Sequence, residues 1–332
     1  MNGITRISSL ILLAFALVNS GCRRDMIEHD MISAASAPPL AKARGGHAAG
    51  IVDGTVIIAG GTLWSDDRLT KTWLDDCNTY GGDNRLIIPP LPHPVAYCAY
   101  ACDESGLYIA GGSDGKNTLN NTYRLTKQND AYQWQSLSSL STKLTFAAGA
   151  IIDKKFFVAC GSDGTNALNT LYMLPLDKPD SGWKKCQSLP GNPRMLPAFT
   201  ACRDKLYLFG GFSTEPDKPL TAYNDVYRYD PKKDKWEMLK DFPVVGYGWN
   251  AAPIDDRRIL ISGRADGKII HKDIWIYDTI TRSAFLTDKQ IPIQTTTAPL
   301  IKTAAGQFLL LGGEPDALKT RTAAVTAITV LN

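Results

Sequence analysis

A glycine-containing signal that closes an apolar run recurs six times along the chain and constrains its fold more than any other feature. The six runs read VIIAGG, LYIAGG, FFVACG, LYLFGG, ILISGR and FLLLGG, with reference glycines Gly61, Gly112, Gly161, Gly211, Gly263 and Gly313. Successive glycines are separated by 51, 49, 50, 52 and 50 residues. A period of this size is typical of solenoids, propellers and repeat arrays, so the chain consists of six similar units.

Each unit is predicted to contain four short strands. A strand of small residues precedes the glycine pair, as in TFAAGAII (145–152), and an aromatic strand follows it, as in NDVYRYD (224–230). Glycine and proline mark the turns, and no helical periodicity is present. In three units a tryptophan follows at a matching distance, and packing between units is its expected role; these are Trp134, Trp183 and Trp236.

Four-stranded units in a closed radial array are the blades of a β-propeller. We therefore predict an all-β, six-bladed propeller that forms one domain over residues 22–332. The last repeat supplies three strands and lacks a fourth, whereas residues 31–36 lie where a fourth strand lies in other units. The N-terminal segment is thus expected to complete the last blade and to protect its edges from other chains.

The N-terminus has the pattern of a secretory signal. Residues 10–18 (LILLAFALV) form an apolar run of nine residues between Arg6 and the sequence Asn19-Ser20-Gly21-Cys22. This run is shorter than the roughly 20 residues that cross a bilayer as a helix, but it fits a signal peptide. A cysteine after Ser-Gly resembles a bacterial lipobox, although Asn19 replaces the usual aliphatic residue. We predict a signal peptide over residues 1–21, export, and lipidation of Cys22, which would make the protein periplasmic or membrane-anchored.

Composition excludes several function classes. Basic and acidic residues number 36 and 33, which gives a net charge of +3 with no basic block, so nucleic acid is not an expected partner. The four histidines have no metal-ligand spacing, and no P-loop, dinucleotide fingerprint or G-x-S-x-G is present. We therefore predict no metal site and no cofactor.

Six cysteines follow Cys22, and buried thiols are a slightly better interpretation than disulfides, which stay open as an alternative. A Cys98–Cys102 pair is disfavoured if both lie on one strand, because four residues then separate the Cα atoms by roughly 13 Å. A disulfide tolerates about 7 Å at most.

Three segments carry a closer resemblance: GNPRMLPAFTACRDKLYLFGG (191–211), NDVYRYDPKKDKWEML (224–239) and GGEPDALKTRTAAV (312–325). Together with the repeats they resemble kelch propellers and, within that group, the bacterial sialic acid mutarotases, also called N-acetylneuraminate epimerases. In that family the Gly-Glu…Arg-Thr segment lies mid-chain, whereas here it lies in the last repeat. The chain is thus similar to a cyclically permuted branch, an arrangement that a propeller with adjacent termini tolerates.

The resemblance implies a cofactor-independent isomerase that interconverts the anomers of N-acetylneuraminate or a related sugar. It also implies Glu314 and Arg321 as the catalytic pair, at a spacing one residue longer than in the family. A carboxyl group in a partly dry pocket can move the protons that open and close a pyranose ring, and an arginine fork can anchor the carboxylate of a sialic acid. One acidic and one basic residue occur among the six that follow the glycine signals, so a glutamate is not a general requirement of the repeat. The six are Thr62, Ser113, Ser162, Phe212, Arg264 and Glu314.

Further substrate-binding candidates lie where the first strands of the repeats begin, a position that faces the central channel of a propeller. They are Arg44, His47, His93, Lys143, Arg194, Tyr247 and Trp249. Arg194 follows a proline in a pair that matches the family. Two other functions stay open: a lipid-anchored propeller that binds a glycan or a protein without catalysis, and a kelch-type enzyme that acts on another sugar.

Overall fold

Six small antiparallel sheets follow one another along the chain at the intervals that the glycine repeat predicts. The computed structural model describes residues 32–81, 86–215, 218–318 and 320–331. Within these ranges the only helical turn is a 3-10 turn at Pro179–Ser181. The sheets form the six blades of a β-propeller, which confirms the predicted fold class.

Blade 1 contains three strands and an additional hairpin: β2 (Ala48–Val52), β3 (Thr55–Ala59) and β6 (Cys77–Tyr80), with β4 (Thr62–Trp64) paired to β5 (Lys71–Trp73). Blade 2 contains β7 (Ala99–Asp103), β8 (Gly106–Ala110), β9 (Thr122–Gln128) and β10 (Ala131–Leu137). Blade 3 contains β11 (Ala148–Ile152), β12 (Lys155–Ala159), β13 (Leu171–Pro175) and β14 (Lys184–Cys186).

Blade 4 contains β15 (Ala198–Cys202), β16 (Lys205–Ser213), β17 (Thr221–Asp230) and β18 (Lys235–Met238). Blade 5 contains β19 (Asn250–Pro253), β20 (Arg258–Ser262), β21 (Asp273–Asp278) and β22 (Ser283–Gln290). Blade 6 combines β23 (Leu300–Lys302), β24 (Phe308–Leu311) and β25 (Val325–Val330) with β1 (Ile32–Ala37) from the N-terminal end of the described chain.

The pairing of β1 with β25 closes the propeller. The register runs from Ile32 opposite Val330 to Ala37 opposite Val325, and β1 occupies the outer edge of blade 6. This confirms that the N-terminal segment supplies the fourth strand of the last blade. Closure pairs an edge of β25 that would otherwise expose unpaired backbone groups.

The hydrophobic core lies between the faces of neighbouring blades. All five residues of β8 are buried, since a blade covers each of its faces, and this explains the continuous apolar runs before the glycines. The three repeated tryptophans lie at these interfaces, as predicted. Their indole N–H groups donate to carbonyls of the preceding blade: Trp134 to Pro89 at 3.1 Å, Trp183 to Ser138 at 2.8 Å and Trp236 to Gln187 at 2.8 Å.

A closed ring of backbone hydrogen bonds surrounds the central channel just before the innermost strands. Its members have φ between +47° and +66°; they are Gly46, Tyr97, Phe146, Leu196, Gly248 and Thr297. Each member's N–H donates to the carbonyl of the equivalent residue in the preceding blade, at 2.7–3.2 Å. Non-glycine residues rarely adopt this conformation, so the ring holds four side chains in fixed and unusual orientations.

One repeat assignment from sequence is wrong. Each blade has a backbone bridge between the residue after the glycine pair and a residue before the first strand, such as Glu314 opposite Thr296 in blade 6. In blade 5 this bridge joins Tyr247 to Ala265 and not to Arg264. Arg264 therefore occupies the position of the second glycine of the pair. Its carbonyl accepts the N–H of His271, and the carbonyl of the second glycine in blade 6, Gly313, accepts the N–H of Thr322 in the same way.

The six described cysteines are free thiols, and Cys98, Cys160 and Cys202 among them are buried. In the part of the chain that the structure describes, no helix has the length and apolar composition needed to cross a membrane. The predicted signal peptide and Cys22 lie outside the described residues.

Candidate active site

Glu314 projects from the end of the propeller at which the innermost strands begin. Its backbone exchanges two hydrogen bonds of 2.9 Å with Thr296, a bridge that is repeated in every blade. The residues at this position in the six blades are Thr62, Ser113, Ser162, Phe212, Ala265 and Glu314. Glu314 is therefore the single ionisable residue among six structurally equivalent positions.

Two consecutive glycines of blade 1 form the floor of the site. A Cβ atom on Gly45 would lie 2.7 Å from Cδ of Arg321 and 2.9 Å from Cγ of Glu314. A Cβ atom on Gly46 would lie 2.5 Å from Cε1 of Tyr97. Side chains from blade 6 and blade 2 therefore meet above blade 1 because its backbone carries no side chains at these two positions.

The Glu314 carboxylate is held through one of its oxygens. Oε1 accepts hydrogen bonds from the Tyr97 hydroxyl at 2.9 Å and from Oγ1 of Thr297 at 3.1 Å. Nη2 of Arg321 lies 3.4 Å from the same oxygen. Oε2 makes no hydrogen bond to any residue that the structure describes, and the Glu314 side chain is 22% exposed. The second oxygen is therefore available to a ligand.

Arg321 is a nearly buried component of the same cluster, with a side chain that is 5% exposed. Its Nε donates to Oγ1 of Thr62 at 3.2 Å, Nη1 to the carbonyl of Thr320 at 2.7 Å and Nη2 to the Tyr97 hydroxyl at 3.1 Å. The structure thus brings together the two residues that the resemblance implied as the catalytic pair. It also uses most of the donors of Arg321 within the protein.

Lys71, on the additional hairpin of blade 1, supplies a second cation that the sequence analysis did not identify. Its Nζ donates to the Tyr97 hydroxyl at 3.2 Å and lies 4.8 Å from the Trp73 ring centroid and 4.9 Å from that of Tyr97. Burial and, secondarily, the charge of Arg321 lower the pKa of Lys71, while Glu314 opposes this shift. The hairpin is no distinguishing sequence signal, because strands β16 and β17 of blade 4 continue past the glycine pair in the same way, to Ser213 opposite Thr221.

Tyr97 is the other residue that sequence reasoning missed, and its hydroxyl contacts all three charged groups. It donates to Glu314 and accepts from Arg321 and Lys71. Burial raises the pKa of Tyr97 well above its usual range, and the neighbouring Glu314 carboxylate contributes to this shift. A comparison of the six equivalent residues of the backbone ring could have found it, because Tyr97 carries the single phenol among them.

Tyr247 lies at the start of blade 5, where its backbone pairs with Ala265. Its ring packs on Phe212, with centroids 4.6 Å apart. Burial raises its pKa, and the charges of Asp266 and Glu314 add to the shift. Tyr247 precedes the innermost strand of blade 5, next to blade 6, which carries Glu314.

Arg44 and Arg194 make equivalent ion pairs inside blades 1 and 4. Nη1 of Arg44 donates to the carbonyl of Gly60 at 2.8 Å and to Asp76 at 3.0 Å. Arg194 donates to the equivalent carbonyl of Gly210 at 3.0 Å and, through Nη2, to Asp225 at 2.8 Å. Both guanidinium groups are buried and contact neither Glu314 nor Arg321 in the structure.

The remaining candidates lie apart from the cluster. His47 is 2% exposed, lines the central channel, and has no partner for either ring nitrogen among the described residues. Burial, with the charge of Arg44, holds its pKa well below the usual range. His93 interacts with the Tyr123 hydroxyl at 2.9 Å. Trp249 is buried and donates to the Phe209 carbonyl at 3.2 Å.

The central channel encloses about 320 Å³ below the ring of backbone hydrogen bonds. Its lining includes an alanine from the innermost strand of each of blades 1 to 5: Ala49, Ala101, Ala150, Ala201 and Ala252. Within residues 32–331, apart from the gaps in the description, no cluster of histidine, cysteine, aspartate or glutamate could hold a metal ion.

Comparison with known proteins finds similarity to N-acetylneuraminate epimerases over part of the chain. A family model described as N-acetylneuraminate epimerase matches residues 137–284. An N-acetylneuraminate epimerase of Salmonella typhi is 33% identical over 92 residues, which cover 27% of this chain and 24% of the relative. This propeller is related to the N-acetylneuraminate epimerases. An N-acetylneuraminate epimerase of Yersinia enterocolitica is 27% identical over 171 residues, which cover 40% of this chain and 43% of the relative.

The similarity of this kelch propeller to the epimerases is partial. The matched part spans about a quarter of the length of the Salmonella relatives and less than half of the Yersinia relative. The family model covers the end of blade 2, blades 3 and 4 and most of blade 5, whereas Glu314 and Arg321 lie in blade 6. The cyclically permuted blade order stays a prediction.

Proposed function

We propose that this protein is a mutarotase that interconverts the anomers of N-acetylneuraminate or a closely related sugar acid. The observation that carries the proposal is the position of Glu314, the single ionisable residue at its place in six blades, beside two cations and a phenol above a glycine floor. The similarity to proteins named N-acetylneuraminate epimerase supports a carbohydrate isomerase and suggests this substrate.

The chemistry requires few groups. A pyranose hemiketal opens when its anomeric hydroxyl loses a proton and its ring oxygen gains one, and after rotation about one bond the ring closes on the other face. A carboxylate in a partly dry site can serve as the base and later as the acid. Oε2 of Glu314 has the freedom for this role, since Oε1 carries the contacts to Tyr97, Thr297 and Arg321.

The charges around Glu314 favour an anionic sugar. Lys71 and Arg321 place two positive charges beside one carboxylate, which leaves the site with an excess of one positive charge. The resemblance implied Arg321 as the anchor for a substrate carboxylate, but its donors are directed to protein atoms. Lys71 is the better anchor because its ammonium has one hydrogen bond in the described structure, to Tyr97. In this assignment Arg321 orients the Glu314 carboxylate.

We further propose that the domain over residues 22–332 acts outside the cytoplasm. This rests on the apolar run at 10–18 and on Cys22, which favour export and lipid attachment. Palmitate labelling of the wild-type chain and of Cys22→Ala in a bacterial host tests this part. Equal labelling of the two proteins contradicts it.

Proton NMR of freshly dissolved, α-anomer-enriched N-acetylneuraminate tests the activity against the spontaneous reaction. The wild-type protein should accelerate equilibration, and Glu314→Gln should lower the enzymatic rate by about 10² to 10⁴-fold, the range for loss of a general acid/base. Glu237→Gln, in the outer strand of blade 4, is the matched control. A propeller that binds the sugar without accelerating equilibration is a binding protein, and this result contradicts the proposal.

A further inference from the structure

We infer that Tyr97 is a second catalytic residue, which transfers a proton to the ring oxygen of the sugar while Glu314 accepts one from the anomeric hydroxyl. This inference rests on the proposed mutarotase function and deepens it. Ring opening needs an acid and a base at the same time, and the structure places one candidate for each role in direct contact.

The Tyr97 hydroxyl has the contacts that such an acid requires. It lies 3.2 Å from Nζ of Lys71 and 3.1 Å from Nη2 of Arg321, both of which can only donate, so its own proton is directed toward an acceptor. In the structure without sugar this acceptor is Glu314, at 2.9 Å. When the phenol loses its proton, two cations already face the oxygen that becomes negative.

The orientation of the ring is fixed by the propeller rather than by the site. Tyr97 has φ of +55°, its N–H donates to the Gly46 carbonyl at 2.7 Å, and its own carbonyl accepts the N–H of Phe146 at 2.8 Å. The Phe146 ring packs against it, with centroids 4.9 Å apart. The phenol therefore extends across Gly46 toward blade 6 before any substrate arrives, and a preorganised group of this kind is effective in catalysis.

The proposed step is balanced in protons and electrons. In ring opening, Oε2 of Glu314 takes the proton of the anomeric hydroxyl, whose electrons form the new carbonyl. The bond between the anomeric carbon and the ring oxygen breaks, and that oxygen takes the proton of Tyr97. In ring closure on the other face, the resulting hydroxyl attacks the carbonyl and returns its proton to the Tyr97 phenolate. Protonated Glu314 gives its proton to the new anomeric oxygen, so both residues regain their initial states.

Tyr97→Phe tests this role, because Phe146 at the same ring position of the next blade shows that the backbone accepts phenylalanine there. We expect kcat for N-acetylneuraminate anomer exchange to fall by about 10²-fold or more. KM should change by less than about threefold, since Lys71 keeps its charge. A general loss of site structure would change KM as well as kcat. Tyr172→Phe, which removes a buried hydroxyl bonded to Thr142 in blade 3, is the matched control and should keep wild-type kcat.

The solvent deuterium isotope effect provides a second measurement. Two protons move in the wild-type step, so a proton inventory should curve, whereas residual turnover of Tyr97→Phe should depend linearly on the deuterium fraction. A Tyr97→Phe variant with wild-type kcat, alongside an inactive Glu314→Gln variant, overturns the role of Tyr97 and leaves the mutarotase function intact. A wild-type protein that does not accelerate anomer exchange overturns both.

Discussion

Oε1 of Glu314 accepts a hydrogen bond of 2.9 Å from the Tyr97 hydroxyl, although 217 residues separate the two in the chain. The contact joins blade 6 to blade 2 across blade 1. It depends on the closed ring of backbone hydrogen bonds, because that ring fixes how far apart these blades lie. The pairing of β1 with β25 completes blade 6, so strand closure supports the site as well as the fold.

The glycine floor gives the first prediction. In Gly45→Ala the new methyl group must displace Arg321 and Glu314, whose atoms lie 2.7 and 2.9 Å from its position. A displacement of about 1 Å in a catalytic group can lower turnover by about 10²-fold, so we expect a loss of this order in kcat. The melting temperature should change little, because Ala96 occupies the equivalent position of blade 2.

Met195→Leu, at the same position of blade 4, is the control for this substitution. The NMR exchange assay and a thermal melt of each variant provide the two readouts. Full activity of Gly45→Ala would show that catalysis does not depend on the exact positions of Glu314 and Arg321.

Only part of the site could be predicted from the sequence. Glycine spacing and strand patterns depend on the repeat, so they gave the blades, the closing strand and the distinctive Glu314. Tyr97 and Lys71 could not be placed, because the contacts of Tyr97 follow from the left-handed ring and those of Lys71 from the way the β4–β5 hairpin folds over blade 1. Arg264 was misassigned since its blade has arginine where the others have the second glycine of the pair.

Lys71→Met should weaken the binding of an anionic sugar. Methionine keeps an apolar stem against Trp73 and removes the charge, and a charge-assisted hydrogen bond contributes about 1.5–3 kcal/mol. We therefore expect KM for N-acetylneuraminate to rise by about 10-fold or more, with a smaller effect on the exchange of a neutral pyranose. Lys116→Met, an exposed lysine of blade 2, is the control. Equal effects on charged and neutral sugars would contradict the anchor role.

The lowered pKa of Lys71 adds a pH dependence. The ammonium is present below its pKa and is lost as pH rises through it, so KM for the anionic sugar should rise at a lower pH than for an ordinary lysine. KM measured between neutral and alkaline pH checks this, and the rise of KM with pH should be absent in Lys71→Met. If KM still rises with pH in that variant, another group causes the rise.

Asp225→Ala tests whether Arg194 serves the fold or the substrate. Arg194 is fully buried, and removal of its partner leaves an uncompensated charge, at a cost of about 3–5 kcal/mol in the free energy of unfolding. Urea denaturation should show this loss, and Asp76→Ala should act in the same way through Arg44. Glu215→Ala, in an exposed pair with Lys218, should change stability by less than about 1 kcal/mol.

The opposite result would restore the sequence-based interpretation of these arginines. If Asp225→Ala keeps wild-type stability but raises KM for the sugar, Arg194 binds substrate, as its position before a first strand suggested. The same assays on Asp76→Ala would then show whether Arg44 shares that role or supports blade 1 alone.

His47 should make the propeller less stable in mild acid. Burial lowers its folded-state pKa, so the unfolded chain binds a proton more readily, and the unfolded pKa is about 6.5. The contribution of the neutral His47 side chain to the free energy of unfolding is fully present above that pH. It is lost as pH falls below that value, by up to about 1.4 kcal/mol per pH unit, until the pKa of the folded state is reached. Urea denaturation at pH 7.5, 6.5 and 5.5 measures the loss, in a window above the range in which aspartates titrate. His47→Leu should flatten this dependence and His93→Gln should keep it; an unchanged slope in His47→Leu would assign the acid sensitivity to another group.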